Sequence, residues 1–210
     1  HELKTPLISI KGFSELLLEL HKEELTDDVK VMIKEIKRGS DRLEKIINSL
    51  IKGKKLELND HKLNLSQENI SEMINACVDD YHRALKTRDH SLVMDLPKEL
   101  KIIIDRKKIK EVLNNLLSNA IKYTPVGGKI SIKVKELKNL ILISVKDSGI
   151  GFTNEEKERI FQKFGKIERY GQGWAISPEG MGFGLYFSKK FAEMHNGRLW
   201  MKSDGRNKGS

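Results

Sequence analysis

A single cysteine, Cys77, occurs in 210 residues. No disulfide can therefore close within the chain, no cysteine cluster is present to hold zinc, and a reducing compartment is expected. Proline is scarce, at four, and the 16 glycines follow no period, which excludes fibrous and low-complexity classes. No apolar run approaches the roughly 18 residues that cross a bilayer. The longest strongly apolar stretch is the six residues Leu140–Val145. No signal-peptide pattern is present. The chain opens at a histidine already inside a helix-like pattern and reads as a fragment of something longer.

What is abundant is charge. Lys and Arg number 39 against 30 Asp and Glu, a net +9, and charged residues make up 33%, above the roughly 25% of an average globular chain. A basic balance admits nucleic acid, acidic membrane surfaces or phosphorylated ligands. It does not choose between them. The excess is uneven, +2 over residues 1–55 and +7 over residues 56–210. No aromatic platform or recognition-helix motif accompanies it, so nucleic acid is not expected as a partner.

Residues 1–55 read as two amphipathic helices. Leu3, Leu7, Ile10, Phe13 and Leu17 fall on one side of the first. Pro6 should kink its opening turns. His21–Asp28 is a polar turn in which Thr26 or Asp27 can cap the next helix. In the second helix, Ile36, Leu43 and Leu50 stand seven apart, as a bundle seam requires, and Gly39-Ser40 interrupts the stripe. Two such helices cannot bury both faces alone, so a hairpin that dimerises into a four-helix bundle is expected.

Lys52–His61 is charged and contains Gly53, as a linker would. The expected organisation is a hairpin over 1–55, a linker over 56–62 and a second domain over 63–210. In that domain the patterns predict helices over 66–86, 106–122, 154–161 and 184–195. Strands are predicted over 91–96, 101–104, 129–136, 139–146 and 198–203. Residues 165–180 are glycine-punctuated and read as a mobile loop. Asn196-Gly197 should cap the last helix. Strands with helices on one face make an α+β sandwich.

Four constellations carry chemistry. With His1 at 0° on a helical wheel, Leu3, Leu7, Ile10 and Leu17 lie at roughly 160° to 240°, so His1 points to solvent. Thr5 shares its face and Glu2 is adjacent. A carboxylate can hold one imidazole nitrogen protonated and free the other to attack; the competing reading is a histidine that merely begins the chain. Asn115 and Asn119, one turn apart on an otherwise apolar helix, present amide oxygens suited to a hydrated Mg²⁺ shared with phosphates. Lys122 adds positive charge near that face, and the alternative is a helix with capping or surface asparagines. Asp147-Ser148-Gly149-Ile150-Gly151 follows the apolar strand. Its carboxylate can accept from an exocyclic amine, although Asp-x-Gly also makes ordinary turns. Gly180-Met181-Gly182-Phe183-Gly184-Leu185 opens a helix, where free amides and the helix dipole favour anions. No Gly-Lys-Ser/Thr follows it, and no strand precedes it, so P-loop and Rossmann readings fail. His21, His61, His82 and His90 show no ligand spacing and read as surface. Arg106-Lys107-Lys108-Lys110 reads as a solvated helix start.

The order of these four resembles the sensor histidine kinases of two-component systems. His1-Glu2-Leu3-Lys4-Thr5-Pro6-Leu7 looks like that family's H box and Asn115–Tyr123 like its N box. Asp147–Gly151 and Gly180–Leu185 look like its two glycine boxes. Ile160-Phe161-Gln162-Lys163-Phe164 resembles its phenylalanine box, and His195-Asn196-Gly197 the His-Gly-Gly that commonly follows. The resemblance implies a hairpin that dimerises and carries the phosphoacceptor, joined to a Bergerat-type α/β sandwich that binds ATP.

It implies His1 as phosphoacceptor, Glu2 as general base, and Thr5 as the residue that orients water when a phosphorylated response regulator is dephosphorylated. It implies Asn119 as Mg²⁺ ligand with Asn115 assisting, and Lys122 and Tyr123 at phosphate and nucleotide. Asp147 would read adenine. Gly149, Gly151, Gly180, Gly182, Gly184 and Leu185 would frame the nucleotide, with Lys166 near the phosphates. Related ATPases carry a glutamate where Asn115 stands, so slow hydrolysis and transfer to imidazole are implied. Met181 and Phe183 depart from the family's usual residues.

The implied partners are a response-regulator receiver domain, a second copy of the chain, and an upstream sensor or membrane segment in the full-length protein, with this portion cytoplasmic. The implied activity is ATP-dependent autophosphorylation and phosphotransfer to a response-regulator aspartate. The alternatives are a phosphatase-dominant sensor and a nucleotide-binding regulatory scaffold.

Overall fold

Apolar residues spaced by seven in a helix turn the same side toward a neighbour at every second turn, and the first 57 residues follow that rule. The structure is a computed structural model and describes residues 2–21, 23–57, 62–138, 140–165 and 182–210. The chain divides into two compact units, His1–His61 and Lys62–Ser210.

In the first unit, α1 (Lys4–Leu20) and α2 (Asp27–Glu57) pack together as an antiparallel pair. Pro6 falls in the first turn of α1, where an amide has no helical acceptor to lose, and the helix runs unbroken through it. Thr26 caps α2, its Oγ1 accepting from the Val29 amide at 3.4 Å. Helix α2 runs unbroken through Gly39-Ser40 and into the segment read as linker, ending at Glu57. Its basic last turn, with Lys54 and Lys55, suits the negative end of the helix dipole.

The seam between the helices is Leu7 and Ser14 of α1 against Ile33, Ser40 and Ile47 of α2, all buried. Each serine spends its hydroxyl on the carbonyl four residues back, Ser14 on Ile10 at 2.7 Å and Ser40 on Ile36 at 3.0 Å. Lys11 pairs with Asp41 at 2.9 Å and Glu44 at 3.0 Å, and Lys37 with Glu15 at 3.0 Å. The stripe expected from the heptads is a different one. Val29, Ile36, Leu43 and Leu50 remain 37%, 51%, 47% and 42% exposed, as do large parts of Leu3, Ile10 and Leu17. A single hairpin therefore covers one of two seven-residue stripes on α2 and leaves the other open.

The second unit places α3 (Ile70–Thr87) and α4 (Arg106–Tyr123) on one face of a three-stranded sheet. Its order is β2 (Ser91–Asp95), β4 (Lys129–Leu137), β5 (Leu140–Asp147), with β2 parallel and β5 antiparallel to β4. Ile130, Ile132 and Val134 alternate inward to meet Ile70, Ile74 and Cys77 of α3 and Leu113, Leu117 and Ile121 of α4. A two-stranded antiparallel ribbon pairs β1 (Ser66–Asn69) with β3 (Lys101–Ile104). Two short helices complete the unit, α5 (Asn154–Arg159) and α6 (Gly184–Met194).

The α+β reading holds, with two local corrections. Ser66–Asn69 is a strand rather than the start of α3, and residues 198–203 form no strand. The helix start read as solvated is anchored. Asp105 caps α4, accepting from the amides of Lys108 at 3.1 Å and Asn64 at 3.0 Å and from Lys108 Nζ at 2.6 Å. Burial pushes the Asp105 carboxyl up, but the Lys108 ammonium and the Asn64 and Lys108 amides outweigh it and hold the group at about 2. The Asp105 amide donates to His195 Nε2 at 2.9 Å, while His195 Nδ1 lies 2.7 Å from the Phe191 carbonyl. That pairing requires the neutral imidazole with its proton on Nδ1. Asn196 closes α6 in the left-handed conformation, and the Gly197 amide donates to Ala192 O at 2.8 Å.

Candidate functional site

Helix α4 brings the polar residues of the second constellation to one side, because positions 115, 119 and 122 are one turn apart. Asn115 does not face open solvent. Its Nδ2 donates to Gly184 O and Ser188 Oγ, both at 3.2 Å, and Ser188 Oγ donates to Gly184 O at 2.9 Å. A methyl at Gly184 would sit 3.1 Å from Asn115 Oδ1. Asn115 is thus a strut that ties the N-terminus of α6 to α4. Asn119, one turn on, is half-buried, and its carboxamide makes no hydrogen bond among the described residues. An amide oxygen so placed fits a hard, mostly hydrated cation. Among the described residues no cluster of His, Cys, Asp or Glu offers another metal site. Lys122 Nζ lies 5.3 Å from the Tyr123 ring centroid.

The turn after β5 is held on three sides. Asp147 Oδ1 accepts from the Gly149 amide at 2.8 Å, and Oδ2 accepts from Ser210 Oγ at 2.5 Å. The Asp147 and Ser210 backbones exchange hydrogen bonds at 2.9 and 3.3 Å. Gly149 lies against the end of α4, where a Cβ would stand 2.5 Å from Tyr123 O. The Ile150 amide donates to that same carbonyl at 3.2 Å. Gly151 has a φ of 59°, and a Cβ there would meet Gly205 O at 2.1 Å, so only glycine fits. The base-reading candidate, the α4 terminus and the glycine turn are therefore one bonded assembly.

Gly182 adopts a φ of 74° just before α6, and Gly184 is the first residue of that helix. Phe183 is buried, its ring 4.7 Å from that of Phe164 in an edge-on contact and 5.6 Å from that of Phe187 in a stack. Leu185 is half-buried. Glu2 and Thr5 lie exposed at the start of the hairpin. His1, Lys166, Gly180 and Met181 lie outside the described residues, as does Trp174 with almost all of the segment read as a loop.

The structure adds residues that spacing did not single out. Ser188 could have been found, since it stands four residues after Gly184 on the same helix face. Ser210 has no local signal, because its partner is 63 residues away. His90, read as surface, is half-buried, with Nε2 3.0 Å from Pro125 O and 3.3 Å from Thr124 O.

Comparison with known proteins matches two family descriptions in sequence. Residues 1–59 match the His Kinase A (phospho-acceptor) domain, and residues 104–210 match the Histidine kinase-, DNA gyrase B-, and HSP90-like ATPase. The chain belongs to the sensor histidine kinases. Among the relatives of this histidine kinase is the sensor histidine kinase WalK of Bacillus subtilis (strain 168), 31% identical over 206 residues, which cover 97% of this chain and 33% of WalK. The Non-motile and phage-resistance protein of Caulobacter vibrioides is 32% identical over 212 residues, 97% of this chain and 24% of that protein.

The kinase chain thus spans a third or less of the curated relatives it matches. A crystal structure of histidine kinase ThkA in complex with response regulator protein TrrA aligns with a TM-score of 0.67 at 26% identity, covering 100% of this chain and 56% of that one. Full-length ShkA in complex with AMPPNP aligns over 100% of this chain and 42% of its own with a TM-score of 0.77; at 20% identity it attests the fold alone. The helical hairpin and the mixed α/β unit are the two parts this family joins.

Proposed function

We propose that this kinase carries out ATP-dependent autophosphorylation at His1 and passes the phosphoryl group to an aspartate on a response-regulator receiver domain. The observation that carries this is the bonded assembly of α4, the Asp147–Gly151 turn and the α6 N-terminus, on a chain that also matches the phospho-acceptor family over residues 1–59. The complex of its relative ThkA with a response regulator supports the same reading.

In this reading Asp147 accepts the exocyclic amine of adenine, with Gly149 and Gly151 allowing the close approach. Gly180, Gly182, Gly184 and Leu185 present the α6 N-terminus to the phosphates, where unpaired amides favour anions. Lys122, Tyr123 and Lys166 add charge and a ring at the nucleotide. Asn119 holds Mg²⁺, and Asn115 assists through its strut to Gly184 and Ser188. Bound Mg²⁺ would neutralise phosphate charge. Asn115 is a poor base, so it does not activate water, and the γ-phosphoryl group is left for imidazole.

One His1 nitrogen forms a bond to the γ-phosphorus as the bond to the β,γ-bridging oxygen breaks. ADP leaves with the electron pair, and Glu2 accepts the proton from the other ring nitrogen. The exposed heptad stripe of α2 supplies the seam of a homodimer. Thr5, three residues beyond Glu2, orients water for the reverse duty, dephosphorylation of the regulator. No helix among the described residues is long and apolar enough to cross a membrane; we place the chain in the cytoplasmic portion of a longer sensor, with any input or membrane segment outside these 210 residues.

The test is incubation with γ-labelled ATP and Mg²⁺. Acid-labile, alkali-stable label that disappears in His1→Gln and on chelation of Mg²⁺ is expected. Label stable on serine, or label that survives chelation, would refute the assignment.

A further inference from the structure

Two residues just beyond α3, far in sequence from every box, press on the nucleotide assembly from behind. Arg88 Nη2 donates to Thr124 O at 3.0 Å. His90 Nε2 faces the carbonyls of Pro125 at 3.0 Å and Thr124 at 3.3 Å. Both partners are acceptors, so Nε2 must carry the proton. The turn that presents these side chains is unusual, since Asp89 sits in the left-handed region at a φ of 50°.

The two side chains are held at a cost. Among the described residues, Arg88 Nε and His90 Nδ1 are buried with no hydrogen-bond partner, and so is Oγ1 of Thr124, a residue with no exposed surface. Buried polar atoms without partners are rare and call for a reason. The backbone reinforces the same contact. The Gly127 amide donates to Arg88 O and the Ser91 amide to Gly128 O, each at 3.0 Å.

The far side of this 124–128 loop is the base-reading turn. Tyr123 O takes the Ile150 amide and leaves no room for a Cβ at Gly149. Lys129 and Ser148 exchange bonds at 2.8 and 2.9 Å. A shift of a few tenths of an ångström in residues 123–125 must therefore move Gly149, and with it the Asp147 carboxylate that its amide holds.

We infer that Arg88 and His90 are positioning residues that set adenine selectivity, by fixing the Thr124–Gly128 loop on which the Asp147–Gly149 turn rests. This deepens the nucleotide-binding reading and rests on it. In that reading neither residue is among those that contact the nucleotide. The carbonyl bonds fix where the Asp147 carboxylate stands, and a misplaced carboxylate loses its preference for an exocyclic amine over the carbonyl of guanine. The backbone bonds survive side-chain substitution, so the effect is graded.

The experiment is calorimetric titration of the 210-residue chain with ATP and with GTP in Mg²⁺, for the parent, Arg88→Ala, His90→Ala, the double variant and His90→Gln. Thermal melts check that each variant folds. His90→Ala should weaken ATP roughly three- to tenfold, the scale of one or two lost hydrogen bonds, while GTP changes little and the ATP-to-GTP ratio narrows. The double variant should narrow it further. His90→Gln, whose amide can still donate to Pro125 O, should restore most of the ratio and keeps the idea testable if the double variant does not fold. Parental ATP affinity and ratio in His90→Ala and Arg88→Ala would overturn the inference. So would an equal loss for both nucleotides, which marks a merely structural role. A parent chain that binds neither nucleotide would instead sink the nucleotide reading itself, and this inference with it.

Discussion

Substituting Leu43 by alanine tests whether the open stripe of α2 is a dimer seam. Leu43 is 47% exposed in the single hairpin, so about half of its transfer free energy is still to be gained, roughly 1 kcal/mol of the ~2 kcal/mol for full burial of a leucine. A two-fold interface presents the residue twice. The loss is then about 2 kcal/mol per dimer, or about 30-fold in the dimer Kd. Ile36→Ala should act similarly, and the pair should approach a thousandfold if the sites add. Val31 provides the control. It is as exposed as Ile36 but lies roughly 140° around the helix from it, so Val31→Ala should leave the Kd nearly unchanged. Sedimentation velocity across a concentration series reads these values, and circular dichroism checks that α2 stays helical. A Leu43→Ala dimer within twofold of the parent, or equal weakening by Val31→Ala, would refute the reasoning.

Two further outcomes follow from the second unit. The Asp105 carboxyl is held at about 2, below its ordinary 3.8, so its contribution of about 2 kcal/mol is complete above the ordinary value and is lost as pH falls from about 4 toward 2. Urea midpoints should show Asp105→Asn well below the parent at pH 7 and the gap closing by pH 2.5; a gap unchanged by pH would refute the shift. Asn115→Ala removes both bonds that hold the start of α6 and should weaken ATP binding roughly tenfold, while Ser188→Ala, which spares the Gly184 bond, should cost a smaller factor. Calorimetry that ranks Ser188→Ala as the worse variant would contradict the strut.

The heptads were legible because periodicity of apolar residues is a local property, and so were α3, α4 and the β4–β5 hairpin. What spacing could not decide was which of two stripes on α2 faces its own hairpin. Both repeat every seven residues, and the buried one carries Ser40 in place of an aliphatic. Ser66–Asn69 was read into the helix because Ser-Gln-Glu-Asn has no strand alternation. Its extended form comes from pairing with Lys101–Ile104, a partner that local preference does not see. Residues 198–203 carry strand-like alternation but join no ladder. The residues beyond them instead bond to the Asp147–Ile150 backbone through Asn207, Gly209 and Ser210. The candidate site stands in the sequence as ordered boxes. The Ser210, Ser188 and His90 contacts were not, because each depends on which carbonyl or carboxylate the fold brings opposite.

The parallel pairing of β2 with β4 has a kinetic consequence. Ser91–Asp95 must wait for Lys129–Lys133 to arrive, across an intervening stretch that includes β3 and α4. Such a closure precedes any reward from the sheet, which slows folding. The hairpin of α1 and α2 needs only a short turn, so it can form early, and only its proposed pairing with a second copy depends on concentration. Refolding should therefore separate into a fast helical phase, a slower first-order phase for the second unit, and a bimolecular step that scales with protein concentration.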